Sequence, residues 1–358
     1  MANHRTRVLI VGAGPIGIEL AVACKKNGVD FELVDAGSVG HTMTWWAPQT
    51  RWFSSNERIA IADVPLLTVD QGKATREEYL TYLRGVLAQH DIAVRTRCKV
   101  VQVERQFDPS AIDPGSPKFR VLCEASEQRI EFGCDCVVLA IGGTDYPNRL
   151  GIPGEGLPHV DGYLRETHSY FGRRVMVIGG RNSAVEAALR LHHAGANVSL
   201  SYRGDELPEK SIKYWLLPEI KGLIESGRIR AFFRTRPIEI TASEVRLEAA
   251  DGSVVNAHAD DVLTLVGYAQ DKTLLRSAGV ELVGPQQTPQ FDTATMETNV
   301  PGIYIAGTAI AGTQSSKYRV FLENCHDHVN RIIAHVMGRS RESSTPAYSK
   351  QVAAQPES

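Results

Sequence analysis

The alternation of apolar and polar positions along the chain predicts short buried strands separated by amphipathic helices. Near the start, an apolar run at 8–11 leads into a turn with Gly12, Gly14 and Gly17, then into a helical stretch and a second apolar run that ends at Asp35. A strand, a glycine turn, a helix and a strand ending on an acid are typical of a dinucleotide-binding unit.

The same succession returns in the middle of the chain. Apolar residues 174–178 precede a glycine turn at 179–184, a helical pattern over 185–194 and an apolar run over 198–202. This internal repeat predicts an α/β protein with two Rossmann-like dinucleotide-binding domains.

Each repeated unit is followed by segments with the period-two alternation of antiparallel strands, which predicts a small β-meander in each domain. The segments lie at 93–103, 119–123 and 131–141 in the first domain, and at 229–233, 236–241, 244–249 and 253–257 in the second.

Two further helices are predicted from the helical period. One covers 75–89 and is opened by a capping box of Thr75 and Glu78, and the other is the last helix of the chain, over 321–337. Prolines and glycines at 147–158 predict an interdomain linker. We therefore assign residues 1–150 and 267–340 to a discontinuous first domain and 151–266 to the second, and expect a disordered tail at 341–358.

Composition narrows the function classes. The chain has 358 residues, of which 43% are hydrophobic, and a formal net charge of −2, so no basic field indicates nucleic-acid binding. No apolar run reaches the ~18 residues of a membrane span, and no signal sequence precedes the first strand, so a cytoplasmic protein is expected. The six cysteines lack C-x-x-C or His/Cys ligand spacing, so neither a disulfide framework nor a metal site is predicted.

The glycines of the first turn have separate physical roles. Gly12 permits the tight turn, Gly14 leaves the backbone open to a pyrophosphate, and Gly17 lets the helix pack on the sheet. Pro15 belongs to the same predicted site, where the helix N-terminus offers N–H groups to phosphates. Asp35 can accept hydrogen bonds from a ribose diol and would repel a 2′-phosphate, which predicts FAD or NAD rather than NADP.

The second turn differs from the first at positions that bear on the ligand. Arg181 stands where the motif has its second glycine, but a guanidinium can itself contact phosphate oxygens. The second strand ends on Arg203, and a cation there accommodates the 2′-phosphate of NADPH. The alternative is that Arg203 is only a solvated charge. The predicted NADPH site comprises Gly179, Gly180, Arg181, Asn182, Ser183, Tyr202, Arg203 and Lys213.

An aromatic cluster follows Asp35. It consists of Trp45, Trp46, Trp52 and Phe53. Two interpretations stay open, namely a core patch under a long loop and an apolar wall along the flavin.

Six short stretches, taken in order, are specific enough to indicate a family. They are FSS at 53–55, DVP at 63–65, GGRNSA at 179–184, SIKYW at 211–215, METN at 296–299 and FLEN at 321–324. With the two dinucleotide units, the chain over about 5–338 resembles the YpdA-type bacillithiol disulfide (bacilliredoxin) reductases, which belong to the two-domain flavoproteins of thioredoxin-reductase type.

This resemblance implies FAD in the first domain, NADPH in the second, and hydride transfer from nicotinamide C4 to flavin N5. A homodimer is expected. Thr308 falls where the wider superfamily has an aspartate facing the flavin ribityl and pyrophosphate, so a hydroxyl keeps the hydrogen bond without the charge. The predicted FAD site also includes Val100, Ala140, Gly142, Gly307 and Thr308.

The cysteines exclude the thioredoxin reductase mechanism, because residues 159–263 contain no cysteine and hence no C-x-x-C. Members of the resembled family commonly carry a cysteine in the first glycine turn, where this chain has Ile16. Electrons can then leave through Cys325 as a thiol relay, or directly from flavin to an acceptor bound against it. Because Cys325 is predicted to lie inside the last helix, where the helix dipole no longer acidifies a thiol, we favour the direct route. The remaining cysteines considered are expected to be packing residues, namely Cys24, Cys98, Cys134 and Cys136.

The leading interpretation is an FAD-dependent NADPH oxidoreductase that reduces a low-molecular-weight or protein-bound thiol disulfide. Gly162 and His168, ahead of the second glycine turn, suggest a flavin monooxygenase or NADPH oxidase as an alternative, although Val160 breaks the fuller F-x-G-x-x-x-H pattern. A non-catalytic FAD or nucleotide redox sensor is the third possibility.

Overall fold

The computed structural model describes residues 3–106, 116–126, 128–313 and 320–339, and the predicted tail at 341–358 lies outside these residues. The strands, in chain order, are β1 (Asn3–Val11), β2 (Phe31–Val34), β3 (Cys98–Arg105), β4 (Phe119–Ala125), β5 (Gln128–Leu139), β6 (Tyr146–Pro147), β7 (Val160–Asp161), β8 (Arg174–Ile178), β9 (Asn197–Tyr202), β10 (Arg230–Phe233), β11 (Thr235–Ile240), β12 (Glu244–Ala249), β13 (Val254–His258), β14 (Asp261–Thr264), β15 (Tyr268–Ala269), β16 (Leu282–Val283), β17 (Thr288–Pro289) and β18 (Ile303–Ile305).

The α-helices are α1 (Pro15–Lys26), α2 (Asn56–Ile59), α3 (Arg76–Gln89), α4 (Asn182–His193), α5 (Leu217–Glu225), α6 (Thr273–Ser277) and α7 (His326–Val336). Short 3₁₀ helices cover His41–Trp45, Thr167–Tyr170, Glu209–Ser211, Gly307–Ala311 and Leu322–Asn324. None of the helices in the described ranges is long and apolar enough to cross a membrane.

Helix α3 begins as the sequence predicts. The Thr75 hydroxyl accepts the backbone N–H of Glu78 at 3.2 Å, and the Glu78 carboxylate accepts the backbone N–H of Thr75 at 2.8 Å. The capping box is therefore confirmed, and Tyr79, Leu83 and Val86 are buried on one face of the helix.

The sheet of the first unit has the strand order β2-β1-β5-β4-β3, and β18 also pairs with β5. Strands β2, β1, β5 and β18 are parallel, whereas β4 runs antiparallel to both β5 and β3. Strand β5 therefore belongs to both the parallel sheet and the predicted meander. The parallel arrangement brings the carboxyl ends of β1, β2, β5 and β18 to one edge.

The sheet of the second unit has the order β10-β9-β8-β14-β7, and its strands are parallel. A separate antiparallel sheet, β11-β12-β13, is the second meander. The prediction that residues 229–233 belong to this meander was wrong, because β10 pairs with β9 after the crossover helix α5. An apolar pattern marks a strand but does not identify its partner.

The last helix also differs from its prediction over 321–337. Residues Leu322–Asn324 form a 3₁₀ turn, and α7 begins at His326 with Cys325 as its N-cap. A hydrophobic period does not separate a 3₁₀ turn from the first turn of an α-helix, since both place neighbouring apolar residues on one side.

The chain divides into two compact units, one with residues 1–44, 49–145 and 270–358 and the other with 45–48 and 146–269. The predicted fold class, an α/β protein with two dinucleotide-binding units and small meanders, is confirmed. The domain borders predicted from the sequence were 150/151 and 266/267. The assignment of residues 45–48 to the second unit was not predicted. The assignment of one cofactor to each unit stays a prediction.

Candidate functional site

Close packing around the first turn requires two of its glycines. Gly12 has φ +109°, and a Cβ there would lie 2.4 Å from the carbonyl oxygen of Ala140. A Cβ on Gly17 would lie 1.9 Å from the carbonyl oxygen of Gly12. These glycines let β1, α1 and the end of β5 approach each other.

Gly14 has a different environment. It is the N-cap of α1, Pro15 is the first helical residue, and no acidic side chain lies in the first turn. A Cβ added to Gly14 would meet no protein atom within 4 Å. The space before this backbone is thus open, next to the unpaired N–H groups of a helix N-terminus, and fits a pyrophosphate.

Asp35 lies directly after β2, beside the first turn. Its carboxylate accepts the backbone N–H groups of Ala13, at 2.6 Å, and Gly37, at 2.7 Å. A carboxylate has about four acceptor positions, so both oxygens retain capacity for ribose hydroxyls.

Three segments that are far apart in sequence meet at this edge of the sheet. Ala140 lies against Gly12, a Cβ on Gly143 would lie 2.9 Å from the carbonyl oxygen of Thr308, and a Cβ on Gly307 would lie 3.5 Å from the Cβ of Ile16. The turns need glycine at Gly142, with φ +78°, and at Gly307, with φ +70°. The structure therefore brings Ala140, Gly307 and Thr308, which the sequence assigned to FAD, to this edge of the sheet. Val100 is buried in β3, opposite Cys123.

His328 was not among the predicted site residues, but it forms a hydrogen bond with the backbone at this edge of the sheet. The Gly307 N–H donates to Nδ1 of His328 at 3.2 Å, and the imidazole is buried. Burial and the charge of Arg331 lower the pKa of His328 to about 4, so the ring is neutral and can accept this bond. Its position inside a helical pattern gave no signal of this role.

Cys325 is buried, with an exposed fraction of 0%. Its thiol donates to the carbonyl oxygen of Phe321 at 3.1 Å. Burial raises the pKa of Cys325 far above its usual value, and the charges of Glu323 and Glu19 act in the same direction. The prediction that Cys325 lies inside the last helix was wrong, because Cys325 is the N-cap of α7. Burial nevertheless disfavours its thiolate.

Two of the stretches that indicated the family, 53–55 and 321–324, are linked by a hydrogen bond close in sequence to Cys325. The Ser54 hydroxyl donates to the Glu323 carboxylate at 2.8 Å. Nearby, Nδ1 of His326 lies 2.8 Å from Glu19, and its Nε2 lies 3.0 Å from the carbonyl oxygen of Arg58. Although burial acts against the charged ring, the hydrogen bond and charge of Glu19 raise the pKa of His326. Both ring nitrogens face acceptors, so the imidazolium form fits this position.

The second turn is also closely packed. Gly179 has φ +144°, and its Cβ would lie 2.5 Å from the carbonyl oxygen of Leu265. The ring of Tyr202 covers Gly180 and Gly204, where added Cβ atoms would lie 2.3 and 2.6 Å from ring carbons. Tyr202 therefore packs against the turn itself.

The predicted phosphate ligands lie at the carboxyl edge of the second sheet. Arg181 is the exposed N-cap of α4, and the next two residues open the helix. Arg203 is exposed, and its side chain forms no hydrogen bond or ion pair with any residue that the structure describes. The Lys213 backbone N–H donates to Oδ1 of Asn182 at 2.8 Å, and its ammonium lies 5.7 Å from the centre of the Trp215 ring.

Glu186 is a second residue that the sequence did not single out. It lies on α4 one turn after Asn182, and burial raises its pKa to about 7, opposed by the charge of Arg190. Titratable groups with such shifts often mark binding sites.

The aromatic cluster is divided between the two units. The Trp52 ring lies 4.5 Å from that of buried Tyr79, which favours the core interpretation for this residue. In the second unit, the ring centres of Trp45 and Tyr163 lie 5.9 Å apart. The flavin-wall interpretation stays a prediction.

Two glycine turns after parallel strands, one unit with an acid after its second strand and the other with a cation there, are the features of an enzyme with two dinucleotides. A model of the pyridine nucleotide-disulphide oxidoreductase family matches residues 9–307, and the chain belongs to this family. It is therefore an oxidoreductase, and the family supports the predicted cofactors, FAD and NADPH.

More particular relatives are found within this family. Bacilliredoxin reductase Bdr of Bacillus subtilis (strain 168) is 34% identical over 93% of this chain and 98% of its own length. The bacillithiol disulfide reductase Bdr (YpdA) of Bacillus cereus has 32% identity and a TM-score of 0.85, over 94% of this chain and 100% of that one. The bacillithiol disulfide reductase Bdr (YpdA) of Staphylococcus aureus has 30% identity and a TM-score of 0.83, with the same coverage. The resemblance to the YpdA-type reductases is confirmed.

Proposed function

We propose that the chain is an NADPH- and FAD-dependent reductase of a thiol disulfide, and that none of its own cysteines takes part in the electron relay. The overall reaction converts NADPH, a proton and one disulfide into NADP⁺ and two thiols. The names of the relatives make bacillithiol disulfide the first substrate to test, followed by protein-bound mixed disulfides.

The environment of the two candidate relay positions carries this proposal. Ile16 stands in the first glycine turn, has no redox chemistry, and packs with a 5% exposed fraction against Gly307. Cys325 is fully buried, and its raised pKa disfavours the thiolate that a relay requires. Direct reduction of an acceptor bound at the flavin needs no thiol of the protein.

The residues of the two turns are proposed to hold the cofactors. Gly14 and the α1 N-terminus would receive the FAD pyrophosphate, Asp35 the adenosine ribose, and Thr308 the ribityl chain. Arg181 and Arg203 would contact the phosphates of NADPH. Because Arg203 would contact the 2′-phosphate, the protein would prefer NADPH over NADH. Held there, FAD would supply the two-electron redox chemistry between NADPH and the acceptor.

The deciding experiment is a Cys325→Ser variant with FAD bound. Anaerobic stopped-flow measurement follows flavin bleaching by NADPH, and a steady-state assay follows NADPH consumption with bacillithiol disulfide. We expect both rates to remain close to those of the unchanged protein. The matched control is Cys24→Ser, which removes another fully buried thiol, one whose pKa burial raises to about 12.

Loss of disulfide turnover in Cys325→Ser alone, with flavin bleaching intact, would contradict the proposal and make Cys325 the relay. The assay also separates the alternative functions. Stoichiometric formation of hydrogen peroxide without disulfide reduction would indicate an NADPH oxidase. An oxygenated product would indicate a monooxygenase. Binding of both cofactors without turnover of any electron acceptor would indicate a sensor.

A further inference from the structure

Two cysteines with no role in the proposed reaction lie together in the first unit. Cys98 begins β3 and Cys123 lies in β4, in a register where Cys98 pairs with Ala125 and Val100 pairs with Cys123. The two cysteine side chains are therefore on the same face of the sheet, one residue pair apart. Both are buried, with exposed fractions of 1% and 0%.

The two thiols differ in acidity. Hydrogen bonding with Cys123 and the charge of Arg95 lower the pKa of Cys98, in spite of its burial. The same hydrogen bond, together with burial, raises the pKa of Cys123. Burial raises the pKa of each of the other four cysteines of the chain. Because the thiolate is the reactive form, Cys98 is the nucleophile of the pair.

The start of β3 is bound to the acid of the predicted FAD site. The Cys98 N–H donates to the carbonyl oxygen of Asp35 at 2.8 Å, and the Asp35 N–H donates to the carbonyl oxygen of Arg95 at 2.9 Å. The Asp35 carboxylate in turn holds the N–H of Ala13 in the first glycine turn. A displacement of Cys98 would therefore reach Asp35 through a single hydrogen bond.

We propose that Cys98 and Cys123 form a reversible disulfide when the protein meets hydrogen peroxide, and that this modification weakens FAD binding. This regulation is separate from the proposed function and requires only that FAD binds in the first unit.

The chemistry balances with peroxide as the oxidant. The Cys98 thiolate attacks one peroxide oxygen, the O–O bond breaks, and hydroxide leaves, so that Cys98 becomes a sulfenic acid. The Cys123 sulfur then attacks the Cys98 sulfur, the S–O bond breaks, and water leaves. Two thiols and one peroxide become one disulfide and two waters, and a low-molecular-weight dithiol reverses the reaction.

The disulfide requires movement of the strand. Diagonal residues on antiparallel strands have Cα atoms roughly 7–8 Å apart, whereas a disulfide joins Cα atoms about 4.4–6.8 Å apart. Strand β3 can adjust, because it is the last strand of the sheet order and its register with β4 shifts between Val100 and Gln102. Movement of Cys98 toward Cys123 would strain its hydrogen bond to the carbonyl oxygen of Asp35.

The test treats the FAD-bound protein with a small excess of hydrogen peroxide and uses two measurements that need no turnover. Non-reducing peptide mapping should show the peptides of Cys98 and Cys123 cross-linked. Ultrafiltration and flavin fluorescence should show the FAD dissociation constant raised ~10-fold or more, as expected if a displaced Asp35 carboxylate loses one hydrogen bond to the ribose of FAD. Dithiothreitol should restore both.

Matched variants assign the effect. In Cys123→Ser, peroxide should leave a dimedone-reactive sulfenic acid on Cys98 and no cross-link. In Cys134→Ser, which removes an equally buried thiol from the adjoining strand β5, the cross-link and the FAD response should persist. Peroxide that leaves both thiols of the unchanged protein free overturns the proposal, as does a cross-link with unchanged FAD affinity. Both outcomes are independent of disulfide reductase activity.

Discussion

Arg203→Ala is expected to separate NADPH from NADH. Arg203 follows β9, is exposed, and has no hydrogen bond or ion pair with the residues that the structure describes, so its guanidinium is available for a 2′-phosphate. Each hydrogen bond between charged groups contributes ~1.5–3 kcal/mol, which corresponds to a roughly 10- to 150-fold rise in KM for NADPH. KM for NADH should hardly change, because NADH lacks that phosphate.

The same change should leave the fold intact. An exposed side chain without structural contacts alters stability by about 0.5 kcal/mol at most, so the Tm should be unchanged. The matched control is Arg228→Ala, which removes an equal charge before β10, at the opposite edge of the same parallel sheet. The assay is steady-state flavin-dependent reduction of a dye with each nucleotide. Equal losses with both nucleotides, or an equal effect of Arg228→Ala, would refute the role of Arg203.

Two further predictions concern the first unit. Gly14→Val should give a folded protein without flavin absorbance, because a Cβ there meets no protein atom within 4 Å but the side chain occupies the pyrophosphate position, and retention of FAD by this variant would contradict the assignment. Gly17→Ala should instead lower the Tm, because its Cβ would lie 1.9 Å from the carbonyl oxygen of Gly12. His328 has a pKa lowered from 6.5 to about 4, so its stabilising effect, up to about 3 kcal/mol, is present above pH 6.5 and is lost as the pH falls through 4. His328→Asn keeps an acceptor for the Gly307 N–H without titrating, so Tm measured against pH should fall less steeply on the acid side, and an unchanged acid limb would exclude His328 as its cause.

The local elements of the molecule follow from the sequence because they depend on residues a few positions apart. The glycine turn after β1, the repeat of that turn after β8 and the capping box of α3 each require particular residues at fixed short spacings. The same holds for Asp35 and Arg203, which follow β2 and β9. An acid at the first position favours FAD or NAD and a cation at the second favours NADPH, whereas the choice of FAD came from the family resemblance.

The tertiary structure decided what depends on distant contacts. It placed β10 beside β9 rather than in the meander, because an apolar pattern does not identify a strand's partner. It buried Cys325 at the N-cap of α7 and set His328 against Gly307, 21 positions away. It also brought Cys98 and Cys123 onto one face of the sheet and bound Cys98 to Asp35. Burial and neighbouring charge determine the reactivity of these side chains, and both arise only when the sheet has formed.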